Sequence, residues 1–179
     1  MSRIPPLTPP YRPDLQTAFD RIMPPGAPPL DLFRVIATSD RAWQKFAAAS
    51  LLDRGPLPLR AREIVIHRTC ARTHCGYEWG VHVAAFAAAA KFTPAEIAAT
   101  AQYPSDFAWP PAEQALIDTA DALHDRASLT DFEFTNLAAH FSNDQILEIL
   151  MLAGFYRTVS YLANGLNLAP EHGTPALLK

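Results

Sequence analysis

Three tetrads, Thr93-Pro-Ala-Glu96, Thr130-Asp-Phe-Glu133 and Ser142-Asn-Asp-Gln145, each place a hydroxyl three residues ahead of an acid or amide. This is the capping-box spacing, in which the two side chains satisfy each other's orphan backbone donors at a helix start. Around them apolar residues recur at three and four, as in Leu32, Phe33 and Ile36 or Leu116, Ala120 and Leu123, and no segment sustains the alternation of a half-buried strand. The chain is therefore restricted to helices. The pattern predicts them near 14–23, 30–38, 40–52, 58–70, 74–90, 93–101, 111–126, 130–140 and 143–165, an all-α bundle joined by short loops. The last, "DQILEILMLAGFYRTVSYLANGL", is apolar nearly all round, which predicts a central helix or one in a subunit interface.

Proline sets the other limit. Nine of the 17 prolines fall within the first 29 residues, so this stretch is neither a continuous helix nor a central strand. It reads as a wrapping arm, residues 1–29, ahead of a helical domain over 30–168 and a short C-terminal tail over 169–179. A chain of 179 residues suits one such domain. Its hydrophobic share of 49% against 18% charged residues is that of a globular protein, and a net charge of −3 gives no electrostatic case for nucleic acid or an anionic membrane. The apolar stretch "VHVAAFAAAA" is cut by His82 and Lys91, well short of the roughly 20 residues a membrane span needs. Two cysteines five positions apart do not staple a domain, and no basic-then-apolar leader opens the chain. A reducing cytoplasm is the expected compartment.

The segment "RTCARTHCGYEWGVH", residues 68–82, gathers both cysteines, two histidines and an acid. With Thr73 as N-cap, a helix would begin at His74 and carry Cys75 and Gly76 in its first turn. The unpaired amides there stabilise a thiolate, and Arg68, Arg72 or a charged His74 would add to that. Cys75 is thus the expected low-pKa sulfur, with Cys70 a packing thiol. At 100° per residue Cys75, Glu78, Trp79, His82 and Phe86 share a stripe. Cys75 and His82 lie about 10 Å apart along the axis, so Glu78 would relay a proton between them. If helices 58–70 and 74–90 form a hairpin, Glu63 arrives beside His82 and favours its charged form. His74 and Tyr77 are candidate pocket residues. His67, His124, His140 and His172 have no partners at informative spacing and read as surface or capping residues.

Simpler explanations exist for the same residues. A buried Glu–His pair with a second acid is often only a satisfied polar cluster, and a buried cysteine often only a small hydrophobe. A metal is the other option, since Cys70, His74, Cys75 and His82, or Glu63, Glu78 and His82, are suitable donors. Yet Cys-x4-Cys lacks the second paired half of a structural zinc site. No metal or organic cofactor is expected.

"REIVIHRTCARTHCGYEWGVHVAAF" followed by "TPAEIAAT" resembles the superfamily of alkylhydroperoxidase AhpD and carboxymuconolactone decarboxylase. The AhpD pattern is an acid, eleven residues, Cys-x-x-Cys, three residues, then His. Glu63, Cys75 and His82 match it with both spacings intact, while Glu78 replaces the second cysteine. "YEW" before His82 looks more like the decarboxylase-related branch, as does the "FYRTVSYLANGLNL" ending. Lys91 stands where many relatives have glycine.

The resemblance implies an AhpD-like all-α fold assembled as trimers or hexamers. It also implies peroxidase chemistry altered by Glu78, because the disulfide of the two-cysteine motif cannot form. Cys75 would still attack a hydroperoxide, and the sulfenic acid would be resolved by Cys70 or an external thiol. Two other classes stand beside this reading. One is a cofactor-free lyase on a small carboxylated lactone, with Glu78 and His82 as acid and base and Arg62, Arg72 or Arg157 as carboxylate ligands. The other is a non-catalytic oligomeric protein with a structural polar cluster.

Overall fold

The computed structural model describes residues 2–177. Residue 1 of the expected arm and residues 178–179 of the expected tail lie outside the described residues. Within them nine helices form and no strand: α1 Pro13–Ile22, α2 Asp31–Ile36, α3 Asp40–Ala49, α4 Leu59–Arg72, α5 Gly76–Phe86, α6 Pro94–Ala101, α7 Pro111–Arg126, α8 Asp131–Ala138 and α9 Asn143–Gly165. All three predicted capping boxes are present, at the starts of α6, α8 and α9. In each, hydroxyl and acid or amide bond to the backbone reciprocally.

The central helix is α4, not the apolar last helix. Every residue from Ala61 to Ala71 is buried, among them Arg62, Glu63, His67, Arg68 and Thr69. It packs against α5, α6, α7 and α9. Its polar side chains survive burial by pairing. Arg68, 1% exposed, donates from Nε and from an Nη to the two oxygens of Asp121 at 2.7 Å each, joining α4 to α7.

Helix α9 turns Ile146, Ile149, Leu152, Ala153, Tyr156, Val159, Ser160 and Ala163 inward. Leu147, Met151 and Tyr161 stay outward, each more than half exposed. Of the described helices it alone is long and apolar enough to cross a membrane, and 44% of that stretch is buried inside the fold.

The proline-rich segment contains helix α1. Proline at the start of α1 supplies the right φ without needing a donor. Leu15 and Phe19 then meet Ala37 in a second small core, with Tyr11 and Trp43 edge-on to Phe19 at 5.2 Å. Several helix boundaries differ from the expectation, those of α4 and α5 with consequences for the site. Thr73 closes α4 instead of capping α5, and its hydroxyl donates back to the carbonyl of Thr69 at 2.9 Å. His74 takes a left-handed φ of 54°, and Cys75 becomes the N-cap of α5. That helix ends at Phe86 rather than 90, before a turn in which Lys91 has φ 58°, a conformation that suits glycine better.

Candidate functional site

The α4–α5 hairpin brings Glu63 to His82, as the spacing predicts. Glu63, fully buried, accepts from His82 Nδ1 at 2.7 Å on Oε2 and from Arg62 Nε at 2.9 Å on Oε1. On the other side of the imidazole, Nε2 lies 2.9 Å from the Tyr156 hydroxyl of α9 and 3.5 Å from Glu78 Oε1. Burial works against charge on His82, but the hydrogen bond to Glu63, then Glu78, outweighs it and raises its pKa to about 9. A protonated ring donates from Nδ1 to Glu63 and from Nε2 to Tyr156. Glu63 itself is held below its ordinary value, since His82 and Arg62 overcome the cost of burying its carboxylate. The second oxygen of Glu78, Oε2, is buried without a partner. It is the one open acceptor in this chain of groups.

Cys75 does not carry the lowered pKa expected from its position. It is fully buried, and desolvation raises its thiol above the ordinary value. The amides of Glu78 and Tyr77 and the Ser160 hydroxyl pull the other way without prevailing. Neither amide closes a cap hydrogen bond of ordinary geometry to the sulfur. Cys70 is also buried and free, and desolvation pushes it well up, followed by the proximity of Cys75 and Glu78. The two cysteines are tied by a backbone bond from Cys75 N to the Cys70 carbonyl at 2.8 Å.

The remaining candidates separate. His74 is exposed at the left-handed turn. Tyr77 points away from the imidazole, its hydroxyl accepting from Leu32 N at 3.0 Å and donating to Glu171. Of the arginines considered as carboxylate ligands, Arg62 is spent on Glu63 and the Leu52 carbonyl. Arg72 is spent on Asp125 and the face of Tyr103. Arg157 donates to Tyr161 and the His124 carbonyl. Among the described residues no group of three or more His, Cys, Asp or Glu side chains is placed to hold a metal ion.

The sequence reading missed Tyr156 and Ser160. Their i, i+4 spacing on the buried face of α9 is a usable signal, because a hydroxyl on a core face needs a partner there. It also misplaced His67. That residue is fully buried against Phe92 and Trp79, with neither ring nitrogen hydrogen-bonded and Glu63 Oε2 3.8 Å away.

His67 and His82 therefore titrate in opposite senses. Burial lowers His67 to about 4, with Glu63 offsetting only part of that cost. Its contribution to stability is full above the ordinary 6.5 and is lost as pH falls towards 4. The contribution of His82 is full below 6.5 and is lost as pH rises through about 9. Urea unfolding is expected to show greatest stability near pH 6.5, each histidine adding a limb of up to about 1.4 kcal/mol per pH unit. His67→Leu should remove one proton's worth of the acid limb and leave the alkaline limb. An unchanged acid limb would show that His67 is not buried neutral.

Comparison with known proteins bears on the fold. Residues 37–122 match the carboxymuconolactone decarboxylase family. A comparison with curated proteins gives no match. Among solved structures, a peroxidase-related protein from Silicibacter sp. TM1040 superposes with TM-score 0.84 at 16% identity, covering 97% of this chain and 93% of the other. A peroxidase-related protein with an alkylhydroperoxidase AhpD core, from Ralstonia eutropha JMP134, gives 0.81 at 21%, covering 96% and 93%. The debrominase Bmp8, solved as a cysteine-to-alanine variant with 2,3,4-tribromopyrrole, gives 0.77 at 16%, again covering 96% and 93%. With its Glu63–His82 pair across the α4–α5 hairpin and Cys75 at the start of α5, the segment 37–122 is similar to the carboxymuconolactone decarboxylase family, and the chain shares the helical fold of these solved structures.

Proposed function

We propose that the protein is a thiol-dependent hydroperoxide reductase in which Cys75 is the nucleophile. The observation that carries this reading is the open Glu78 Oε2 between the start of α5 and a charged His82 held by Glu63 and Tyr156. A buried thiol with a raised pKa needs a base that takes its proton as substrate binds, and Glu78 offers a buried carboxylate oxygen, Oε2, that has no partner. The sulfur attacks one oxygen of ROOH, forming the S–O bond as the O–O bond breaks. The proton taken by Glu78 passes to the departing alkoxide, so the products are the Cys75 sulfenic acid and ROH. One external thiol displaces water to form a mixed disulfide. A second releases Cys75 and leaves as the oxidised dithiol.

The names of the peroxidase-related relatives support the redox class. The debrominase supports a wider one, in which the substrate offers an electrophilic heteroatom. A reducing, cytoplasmic setting follows from the dependence on free thiols. The exposed apolar face of α9, with Leu147, Met151 and Tyr161, is the surface on which a trimer or hexamer would form.

The lyase reading keeps one point in its favour. The same free Glu78 oxygen beside an imidazolium would serve to protonate an enolate after loss of carbon dioxide.

Consumption of a small alkyl hydroperoxide in the presence of dithiothreitol separates the two. Cys75→Ser is expected to abolish it, and Glu78→Gln to slow it by about 10²-fold. Full turnover in Cys75→Ser would overturn the peroxidase reading. Decarboxylation of a carboxylated lactone that survives Cys75→Ser but not Glu78→Gln would put the lyase in its place.

A further inference from the structure

Cys75 is fully buried, so any reagent must reach it through something that moves. On the α4 side the Cys75 amide is bonded to the Cys70 carbonyl, and on the α9 side the Ser160 hydroxyl lies beside the thiol. At the end of α5 the wall is different. A cavity of about 360 Å³ lies between Gly76 and Tyr77 of α5 and Ala163 and Asn164 of α9. The C-terminal tail lines the same cavity, through Pro170, Ala176 and Leu177.

The tail is seated by features that the reaction does not require. Gly76 and Gly80, one turn apart on α5, form a flat strip on which residues 174–177 lie. A Cβ at Gly80 would stand 2.5 Å from the Pro175 carbonyl oxygen and 3.3 Å from Thr174 Cβ, and one at Gly76 would stand 3.5 Å from Leu177 Cβ. Upstream, Glu171 accepts from the Tyr77 hydroxyl and from the backbone of Asp31. The Thr174 hydroxyl closes the turn onto the Glu171 carbonyl at 2.8 Å. This small, mostly polar set of ties is weaker than a packed core and is suited to opening.

We propose that residues 169–177 form a strap over the first turn of α5, and that a small thiol or hydroperoxide reaches Cys75 when the strap lifts from the Gly76–Gly80 strip. The inference rests on Cys75 being the reacting group. It is a statement about access, and is read separately from turnover.

Alkylation of the full-length protein by iodoacetamide, mapped to Cys75 and Cys70 by peptide mass, tests it in Gly80→Ala and in a chain ending at Leu168. Alanine at Gly80 must push away a backbone carbonyl, while as a better helix former than glycine it leaves α5 intact. Both variants are expected to label Cys75 at least about tenfold faster, a change read against a thermal midpoint that stays cooperative, with Cys70 remaining slow. Cys75 labelling within twofold of wild type in Gly80→Ala would overturn the strap even if the truncated chain fails to fold. Equal acceleration at Cys70 would also overturn it, because that signals general loosening. Faster Cys75 labelling without hydroperoxide consumption in any variant would defeat the peroxidase reading and leave the strap standing.

Discussion

Glu63→Gln is expected to cost about 3–5 kcal/mol at pH 5, the loss typical of removing one partner from a buried charge pair. Glu63 accepts from two cations at once, His82 Nδ1 at 2.7 Å and Arg62 Nε at 2.9 Å, and it is fully buried. Glutamine keeps the volume and one acceptor, yet leaves an imidazolium and a guanidinium uncompensated. The pKa of His82 should then fall below its ordinary 6.5, because burial is the largest influence on it and Glu63 is the first of those that oppose burial. The alkaline limb of the stability profile should vanish and the acid limb steepen, so the loss at pH 8 is smaller than at pH 5. Urea titration at both values, with the His82 resonance followed by NMR, checks this. A His82 that still titrates near 9 would show that Glu78 and Tyr156 hold the charge without Glu63.

Arg68→Met is expected to cost a similar amount, about 3–5 kcal/mol, for a different reason. The guanidinium is almost fully buried and bridges three elements. It pairs bidentately with Asp121 of α7, donates to the carbonyls of Thr100 and Gln102 at the end of α6, and lies over the Tyr103 ring. Removing it strands one carboxylate and two carbonyls. The double variant Arg68→Met with Asp121→Leu should recover more than half of the loss, since a buried pair replaced by apolar groups is often near neutral. The carbonyls stay unpaired, so recovery should be incomplete. Additive losses from the two substitutions, measured by urea unfolding, would show that Asp121 is served well enough by Arg72, whose Nε is 3.6 Å away.

Helix positions are set locally, and that is why they were legible. The capping boxes at Thr93, Thr130 and Ser142 involve residues three apart and form without tertiary help. The register of Glu63, Cys75, Glu78 and His82 follows from spacing too, and the hairpin brought Glu63 to the imidazole as expected. Burial was not legible for much of α4, because Arg62, His67 and Arg68 look like surface residues until their partners and neighbours from other elements are known.

What the sequence alone determined is the helical content, the starts of the capped helices and the spacing of the Glu63, Cys75, Glu78 and His82 side chains, all consequences of interactions within a few residues. What tertiary structure decided is which helix is central, that α9 supplies Tyr156 and Ser160 to the site, and that Cys75 is a buried thiol with a raised pKa. The physical reason is desolvation. Helix-end amides act on a sulfur within one turn and can be read from the sequence, whereas the loss of water around it depends on how α4 and α9 pack about it.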